Sequence, residues 1–340
     1  MTDEYLAGTI YFGGGTPTML KVEHFADILQ TLKKHFRWTE NIEITTEANP
    51  QNIHVQYLRD LHSAGINRIS FGMQSALPGE LEILGRRHQF QDIVASVEWA
   101  RSAGFQNISL DLIFGIPTQI ISTWKKSLEE AVRLEPNHLS LYSLILEETT
   151  PLYRAVRAGR FPQVDSDLDA DMYSYAMDFL GEMGFGQYEI SNWAFGEDSQ
   201  CKHNIQYWRN GPYLGFGAGA HSHYNHRRWR NISKISEYIH QSMENDKGIP
   251  PAVEDLQKLK KMDEIRETII MGMRLTNEGI DIDSFFHRFG SYVHDIFGKE
   301  INRLLAQELI EEYHSSNRKG IRLTRRGRMV GNQVFMQFVE

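Results

Sequence analysis

Hydrophobic and polar residues alternate in the first half of the chain in a way that predicts strands separated by helices. Five short apolar runs are each followed by a helical pattern, and they cover residues 9–12, 42–48, 68–73, 108–114 and 138–145. Between the first two runs, apolar residues recur three and four positions apart, as on one face of an amphipathic helix. Repeats of this kind predict a parallel α/β sheet, either open or rolled into a barrel.

The phase of the alternation places polar residues on one face of three strands. In the second run, Glu43, Thr45 and Glu47 lie on the face opposite to the isoleucines. Gln74 lies on the polar face of the third run and Asp111 on that of the fourth. Helices outside a curved sheet would cover the aliphatic face, so these side chains would point inward. Because an inward carboxylate is costly unless it is paired or solvated, Glu47, Gln74 and Asp111 predict a polar ligand at the carboxyl ends of the strands. Taken singly, Glu43 and Asp111 could equally be strand-end residues satisfied by their neighbours.

The regular strand–helix pattern ends after residue 150. Residues 151–250 are predicted to be rich in loops, and helices are predicted over 256–275, 282–289 and 293–313. A turn over 315–320 and a strand over 321–324 would then form a small β-wing. Helices followed by a wing indicate a winged-helix-like module.

Composition narrows the class of protein. The formal net charge of -8 over 340 residues argues against a general nucleic-acid binder. The longest apolar runs are far shorter than a membrane span, and residues 1–20 lack the features of a secretory signal, so a cytoplasmic location is expected. The single cysteine, Cys201, excludes an intrachain disulfide.

Three glycines follow the first apolar run in the stretch GTIYFGGGTPTML. The stretch is neither a G-x-G-x-x-G motif nor a P-loop. Glycines at the end of a strand let backbone N–H groups approach a carboxylate, an amino acid or a phosphate. The alternative is a tight turn with Thr16 as N-cap and Pro17 at the first helical position, for which one glycine would suffice.

Several short motifs occur in order and at suitable spacings: YFGGGTPTML, TEANP, RISFGMQS, LGRRH and DLIFGIP. Together they resemble the radical S-adenosylmethionine (SAM) family of the oxygen-independent coproporphyrinogen oxidases and the HemW haem chaperones. YEISNWA, HNIQYW and GAHS extend the resemblance, and the H-N-x-x-Y-W element is similar to the chaperone branch. The resemblance implies a partial six-unit (β/α) barrel, here without its first unit, and a helical winged-helix-like C-terminal domain. It also implies three parts: a partial barrel over 1–175, an extension with the H-N-x-x-Y-W element over 176–250, and the C-terminal domain over 251–340.

The resemblance assigns a SAM site residue by residue. Gly14, Gly15 and Thr16 match the backbone that meets the methionyl end of SAM. The other positions that match cofactor-binding residues are Glu47, Gln74, Arg86 and Asp111. Without the resemblance, Arg86 would be interpreted as a surface arginine.

The family also holds a [4Fe–4S] cluster with three cysteines in C-x-x-x-C-x-x-C, on a loop that would lie N-terminal to Gly8. Only seven residues precede Gly8 and none is a cysteine, so no cluster is expected in this chain. An incomplete gene prediction, a shortened chain or a genuine cluster-less relative would look alike.

The stretch CKHNIQYW offers the second group of candidates. Thiolate and imidazole are both haem-iron ligands, and the resemblance makes His203 the first candidate, with Cys201 as its rival. Tyr207 and Trp208 could cover a porphyrin face. The sequence gives less support for a transition-metal site at the nearby histidines, because no carboxylate lies in the same stretch. These histidines are His221, His223 and His226.

Three functions follow. The first is a HemW-like chaperone that binds haem and SAM and hands haem to an acceptor protein, which could be membrane-associated. The second is an oxygen-independent coproporphyrinogen oxidase, and the third is a cluster-less, non-catalytic binding protein. The tail also carries a group of basic residues: Arg318, Lys319, Arg322, Arg325, Arg326 and Arg328. Because glutamates lie nearby and no aromatic platform is evident, we interpret this group as a solvated wing or a docking surface for an acceptor protein rather than a nucleic-acid-binding surface.

Overall fold

The computed structural model describes residues 6–163, 165–243, 252–315 and 318–339. The chain divides into two compact units, Met1–His203 and Asn204–Glu340. Within the described ranges, no helix is both long and apolar enough to cross a membrane.

A curled seven-stranded sheet, a half-barrel, forms the centre of the first unit. Its strands are β1 (Leu6–Phe12), β2 (Arg37–Ala48), β3 (Arg68–Gln74), β4 (Asn107–Phe114), β5 (His138–Ser143), β6 (Gly186–Glu189) and β7 (Asn192–Ala194). Strands β1 to β5 are parallel neighbours in chain order. Strand β7 pairs antiparallel with β5, and β6 pairs antiparallel with β7. All five predicted strands are confirmed, although β5 ends at Ser143 rather than at residue 145.

Seven helices connect these strands. They are α1 (Val22–His35), α2 (Val55–Ser63), α3 (Pro78–Ile83), α4 (Phe90–Ala103), α5 (Ile121–Arg133), α6 (Pro151–Arg157) and α7 (Ser166–Glu182). The predicted amphipathic helix is α1, which buries Phe25 and Leu29. Gly65 and Gly104 follow the ends of α2 and α4 with φ of +109° and +105°, a conformation that glycine adopts without steric cost.

The two faces of the sheet differ as the alternation predicts. Ile69, Phe71 and Met73 of β3 are fully buried on the aliphatic face. On the helical layer, the buried indole of Trp124 in α5 donates to the carbonyl of Met172 in α7 at 2.9 Å. The core of this unit therefore lies between the aliphatic face of the sheet and the helices, and the opposite face is left for polar side chains.

The second unit contains two small sheets and the C-terminal helices. Its elements are β8 (His221–Tyr224), β9 (Arg227–Asn231), α9 (Ile235–Met243), β10 (Val253–Lys258), α10 (Lys261–Gly272), β11 (Ile280–Asp281), α11 (Ile282–Phe289), α12 (Val293–Ala306), β12 (Ile310–His314), β13 (Lys319–Leu323), α13 (Arg325–Met329) and α14 (Gly331–Phe335). One sheet has the order β10-β9-β8 and the other β11-β13-β12. The three-stranded sheet at the tail and the helices around it match the expected winged-helix-like arrangement.

Two helix predictions for this part of the chain are wrong at one end. The stretch predicted to be rich in loops contains helices and strands as well as loops over 151–163 and 165–243. The helix predicted over 256–275 begins at Lys261, because residues 253–258 pair with β9. The helix predicted over 293–313 ends at Ala306, because residues 310–314 pair with β13. The wing strand, predicted over 321–324, is Lys319–Leu323, and residues 316 and 317 of the predicted turn lie outside the described residues.

Helix α8 (Lys202–Trp208) carries the H-N-x-x-Y-W element. The boundary between the two units falls inside it, after His203. His203 therefore belongs to the first unit, and the rest of the element, Asn204–Trp208, belongs to the second.

Candidate functional site

The inner face of the half-barrel carries the polar residues that the strand phase predicts. Tyr11 of β1 donates a hydrogen bond to Glu47 Oε1 of β2 at 2.6 Å. Asp111 of β4 accepts one from Ser70 of β3 at 3.0 Å and another from Ser140 of β5. Strands β2 and β4, on either side of β3, thus bring Glu47 and Asp111 onto one polar surface.

Burial disfavours the charged forms of both carboxyl groups. It raises the pKa of Glu47, and the nearby charge of Asp111 raises that pKa further against the hydrogen bond from Tyr11. Burial also raises the pKa of Asp111, although the hydrogen bonds from Ser140 and Ser70 act the other way. A cationic ligand would relieve the cost of placing two carboxylates on this face.

The glycine run follows β1 and is exposed. Gly14 has φ of +100°, a conformation that favours glycine. A Cβ at Gly13 would lie 2.6 Å from Cε1 of Tyr11 and 3.3 Å from Oε1 of Glu47, whereas one at Gly14 or Gly15 would meet nothing within 4 Å. Gly13 therefore makes room for the Tyr11–Glu47 pair, and the next two glycines border open space.

Thr16 and Pro17 occupy the positions predicted for a tight turn into a helix. Thr16 is the N-cap and Pro17 the first residue of a short 3₁₀ helix, Pro17–Met19. The Thr16 side chain makes no capping hydrogen bond there.

Gln74 ends β3 in an unusual conformation. Its φ is +66°, which is uncommon outside glycine, and the pairing of β3 with β4 shifts register between Gly72 and Gln74. A Cβ at Gly72 would lie 2.7 Å from Nε2 of Gln74. Gly72, which pairs with Asp111, thus leaves room for the Gln74 amide on the inner face.

A buried polar cluster fixes the loop behind Gln74. The hydroxyl of Ser75 donates to Glu80 Oε2 at 2.5 Å, and the amide of Gln119 donates to the same oxygen at 3.0 Å. The Ser75 hydroxyl also lies 3.2 Å from that of Ser127 in α5. Glu80 therefore ties the loop after β3 to the loop after β4.

Arg86 is the remaining residue that the resemblance assigned to SAM. It is exposed in the turn after α3, where its N–H donates to the carbonyl of Leu81 at 2.8 Å. Its charge lowers the pKa of His88, an effect smaller than that of burial. Within the described ranges, no hydrogen bond or ion pair joins its guanidinium to Glu47 or Asp111.

His203 lies against β1. Its Nδ1 is 2.9 Å from the hydroxyl of Thr9, and its ring is stacked on Tyr11 with centroids 4.7 Å apart and planes 10° apart. Burial lowers the pKa of His203 to about 4, so the imidazole is neutral at pH 7. A neutral imidazole is the form that ligates a metal.

Glu43 caps the start of α8. Its Oε2 accepts from the N–H of Lys202 at 2.9 Å, and its Oε1 accepts from the N–H of His203 at 3.1 Å and from the thiol of Cys201 at 3.5 Å. Cys201 is 1% exposed. The rival haem ligand is therefore enclosed and hydrogen-bonded to a carboxylate.

Further buried polar groups adjoin Cys201. Arg68 is 3% exposed. Burial is the largest single influence and lowers the pKa of its guanidinium, but the neighbouring acidic groups, first Cys201 and Glu43, together outweigh it, so the pKa is raised overall. The hydroxyl of Tyr188 accepts from the N–H of Cys201 at 3.3 Å and lies 2.8 Å from Nε2 of His138. This end of the half-barrel is a hydrogen-bonded polar core.

The aromatic residues of the H-N-x-x-Y-W element pack within the second unit. The guanidinium of Arg274 lies 5.1 Å from the ring centroid of Trp208 and 4.8 Å from that of Phe335. Tyr207 packs edge-on against Tyr213, with centroids 4.6 Å apart. These contacts give both aromatic residues a role in packing the second unit.

The three nearby histidines differ in their surroundings. His221 is exposed, His223 is 4% exposed, and His226 Nδ1 is 2.9 Å from Glu264. Among the residues that the structure describes, no three His, Cys, Asp or Glu side chains could hold a metal ion together. The basic tail is paired in part: Lys319 with Asp283 at 3.0 Å and Arg322 with Glu311 at 2.8 Å.

Sequence reasoning missed Tyr11, Arg68, Gly13, Gly72 and Glu80. The alternation offered a signal for two of them, because Tyr11 is two residues from Thr9 and Arg68 two from Ser70 on inward-facing strands. The roles of Gly13, Gly72 and Glu80 depend on contacts that no local pattern shows.

The half-barrel and its polar inner face define a class of protein. The radical SAM superfamily model matches residues 2–131, and the HemN C-terminal domain model matches residues 259–330. The structure is similar to that of the coproporphyrinogen III oxidase HemN from Escherichia coli, with a TM-score of 0.80 at 22% sequence identity, over 97% of this chain and 77% of that one.

Curated relatives narrow the class to one family. The chain is 35% identical to the heme chaperone HemW of Bacillus subtilis (strain 168) over 97% of its own length and 85% of the relative's. It is 33% identical to the heme chaperone HemW of Lactococcus lactis subsp. lactis, over 97% of this chain and 84% of that one. The chain therefore belongs to the HemW family of radical SAM proteins.

Proposed function

We propose that this protein is a HemW-like haem chaperone of the cytoplasm that binds haem and SAM and delivers haem to an acceptor protein. The name shared by its relatives, heme chaperone, supports the role. The observation that carries the proposal is the stacking of a neutral His203 imidazole on Tyr11, beside the carboxylates of the half-barrel. We retain the division into parts over 1–175, 176–250 and 251–340 as part of this proposal.

The inner face has suitable chemistry for SAM. This cofactor carries a sulfonium and an ammonium group, and Glu47 and Asp111 supply carboxylates whose buried charges call for a cation. Gln74 adds an amide beside them, and the exposed backbone of Gly14 and Gly15 borders open space. We retain Arg86 as part of the proposed SAM site. When bound, SAM supplies an activated sulfonium carbon centre.

His203 has suitable chemistry for haem iron. The Thr9 hydroxyl lies 2.9 Å from its Nδ1 and helps to hold the imidazole that would bind iron. Its low pKa keeps protons from competing with the metal at neutral pH.

The residues of this chain do not fit a [4Fe–4S] cluster. Such a site needs three protein thiolates to leave one iron open, whereas the 340 residues contain one cysteine. That cysteine is buried beside Glu43. We therefore assign no radical step to these residues.

Haem titration followed in the Soret region tests the proposal. The parent protein should give a band distinct from free haem, and His203→Ala should weaken it because alanine offers no donor. His35→Ala, on the exposed end of α1, is the matched control and should behave like the parent.

Cys201→Ser tests the rival ligand. It should leave the band in place if imidazole is the axial donor. A His203→Ala protein with the parent's spectrum and affinity would refute the assignment of His203. Parent-like behaviour of both variants would move the search to His221, His223 and His226.

A further inference from the structure

Tyr11 contacts both of the side chains assigned above to different ligands. Its hydroxyl donates to Glu47 Oε1 at 2.6 Å, and its ring is stacked on the His203 imidazole at a centroid distance of 4.7 Å. Tyr11 therefore contacts both the carboxylate proposed to bind SAM and the imidazole proposed to bind haem.

Both contacts are closely constrained. A side chain at Gly13 would collide with the Tyr11 ring at 2.6 Å, so the loop after β1 and the ring fit together. On the same strand, the hydroxyl of Thr9 lies 2.9 Å from Nδ1 of His203. The position of the imidazole thus depends on two inward-facing residues of β1.

We propose that Tyr11 couples the two binding events, so that SAM tightens haem binding and haem tightens SAM binding. A cation against Glu47 would fix that carboxylate, and the carboxylate would fix the Tyr11 hydroxyl and its ring. The ring would then be held in the position in which it supports the His203 imidazole, so SAM would favour the arrangement that binds haem. Because linkage is reciprocal, the two effects must be equal in size. This inference rests on the proposed function.

Two titrations measure the coupling. The dissociation constant of haemin is measured by absorbance with and without saturating SAM, and that of SAM by calorimetry with and without saturating haemin. We expect each ligand to tighten the other about fivefold, at the lower end of typical coupling.

Tyr11→Phe isolates the hydroxyl. It keeps the ring against His203 and removes the hydrogen bond to Glu47, so the coupling factor should fall to one. Tyr57→Phe is the matched control, because the Tyr57 hydroxyl donates to the carbonyl of Leu20 at 2.8 Å and not to Glu47. Its coupling should equal that of the parent.

The outcomes separate this inference from the function on which it rests. If the parent binds both ligands independently, or if SAM weakens haemin binding, the coupling is refuted and the chaperone proposal stands. If Tyr11→Phe keeps the parent's coupling factor, the role of Tyr11 is refuted. If the parent binds only one ligand or neither, both proposals fail.

Discussion

Glu43 accepts a hydrogen bond of 3.1 Å from the backbone N–H of His203, which lies 160 residues further along the chain. The same carboxylate accepts from Lys202 and Cys201. A buried strand residue therefore satisfies the first N–H groups of the helix that carries the haem-ligand candidate.

Replacing Glu43 should loosen His203 and lower stability. Glu43→Ala leaves buried N–H donors without an acceptor, which costs about 1–3 kcal/mol for such a group, and it also removes a charge close to buried Arg68. Glu43→Gln keeps one acceptor and should lose less. Urea unfolding measures the free energy, and haemin titration should show weaker binding in Glu43→Ala.

Glu40→Ala provides the control for that comparison, because Glu40 is exposed on the same strand. It should unfold like the parent. Equal stability of Glu43→Ala and Glu40→Ala would contradict the capping role of Glu43.

The glycine run should separate into two functions on mutation. In Gly13→Ala the new Cβ would stand 2.6 Å from the Tyr11 ring, and such overpacking costs about 1–3 kcal/mol. In Gly15→Ala it meets nothing within 4 Å, so stability should change by less than about 0.5 kcal/mol. SAM affinity, measured by calorimetry, should nevertheless fall in Gly15→Ala if the cofactor approaches this backbone. Unchanged SAM affinity would mean that the run serves only as a turn.

Glu80 should control the loop that presents Gln74. Glu80→Ala removes the acceptor of Ser75 and Gln119, and each buried donor left unpaired costs about 1–3 kcal/mol. We expect lower stability in urea and weaker SAM binding. Glu82→Ala, exposed on the same helix, should match the parent in both measurements; a Glu80→Ala protein that also matches it would exclude this role.

The buried carboxyl of Asp111 predicts how stability depends on pH. Burial raises its pKa above the ordinary value of 3.8, so the folded state holds its proton more tightly than the unfolded state does. The contribution of this group to stability is complete below the ordinary pKa and is lost as pH rises through the folded pKa. Asp111→Asn should remove that loss, so its stability relative to the parent should rise between acidic and neutral pH.

Urea unfolding of the parent and Asp111→Asn across pH 4 to 8 measures this difference. Asp27→Asn, on the exposed side of α1, should show no such trend. SAM affinity should fall in Asp111→Asn, because the variant no longer offers the carboxylate to a cation. A stability difference that is independent of pH would contradict the buried charge.

Local patterns were enough to identify the five parallel strands of the half-barrel and the direction of the polar faces of β2, β3 and β4, whereas the antiparallel strands β6 and β7 were not predicted. The alternation of β2 and β4 assigns Glu47 and Asp111 to the inner face, because successive side chains of a strand point to opposite sides. The glycines that end α2 and α4 were also identifiable, since few other residues adopt their positive φ.

The tertiary structure decided the features that depend on distant parts of the chain. Residues 253–258 and 310–314 have sequences that suit helices, yet they are strands because β9 and β13 offer backbone partners. The stacking of His203 on Tyr11 and the capping of α8 by Glu43 likewise join residues far apart in sequence. Only the folding of the half-barrel brings such groups together, because a hydrogen bond or a ring contact requires proximity that no local periodicity encodes.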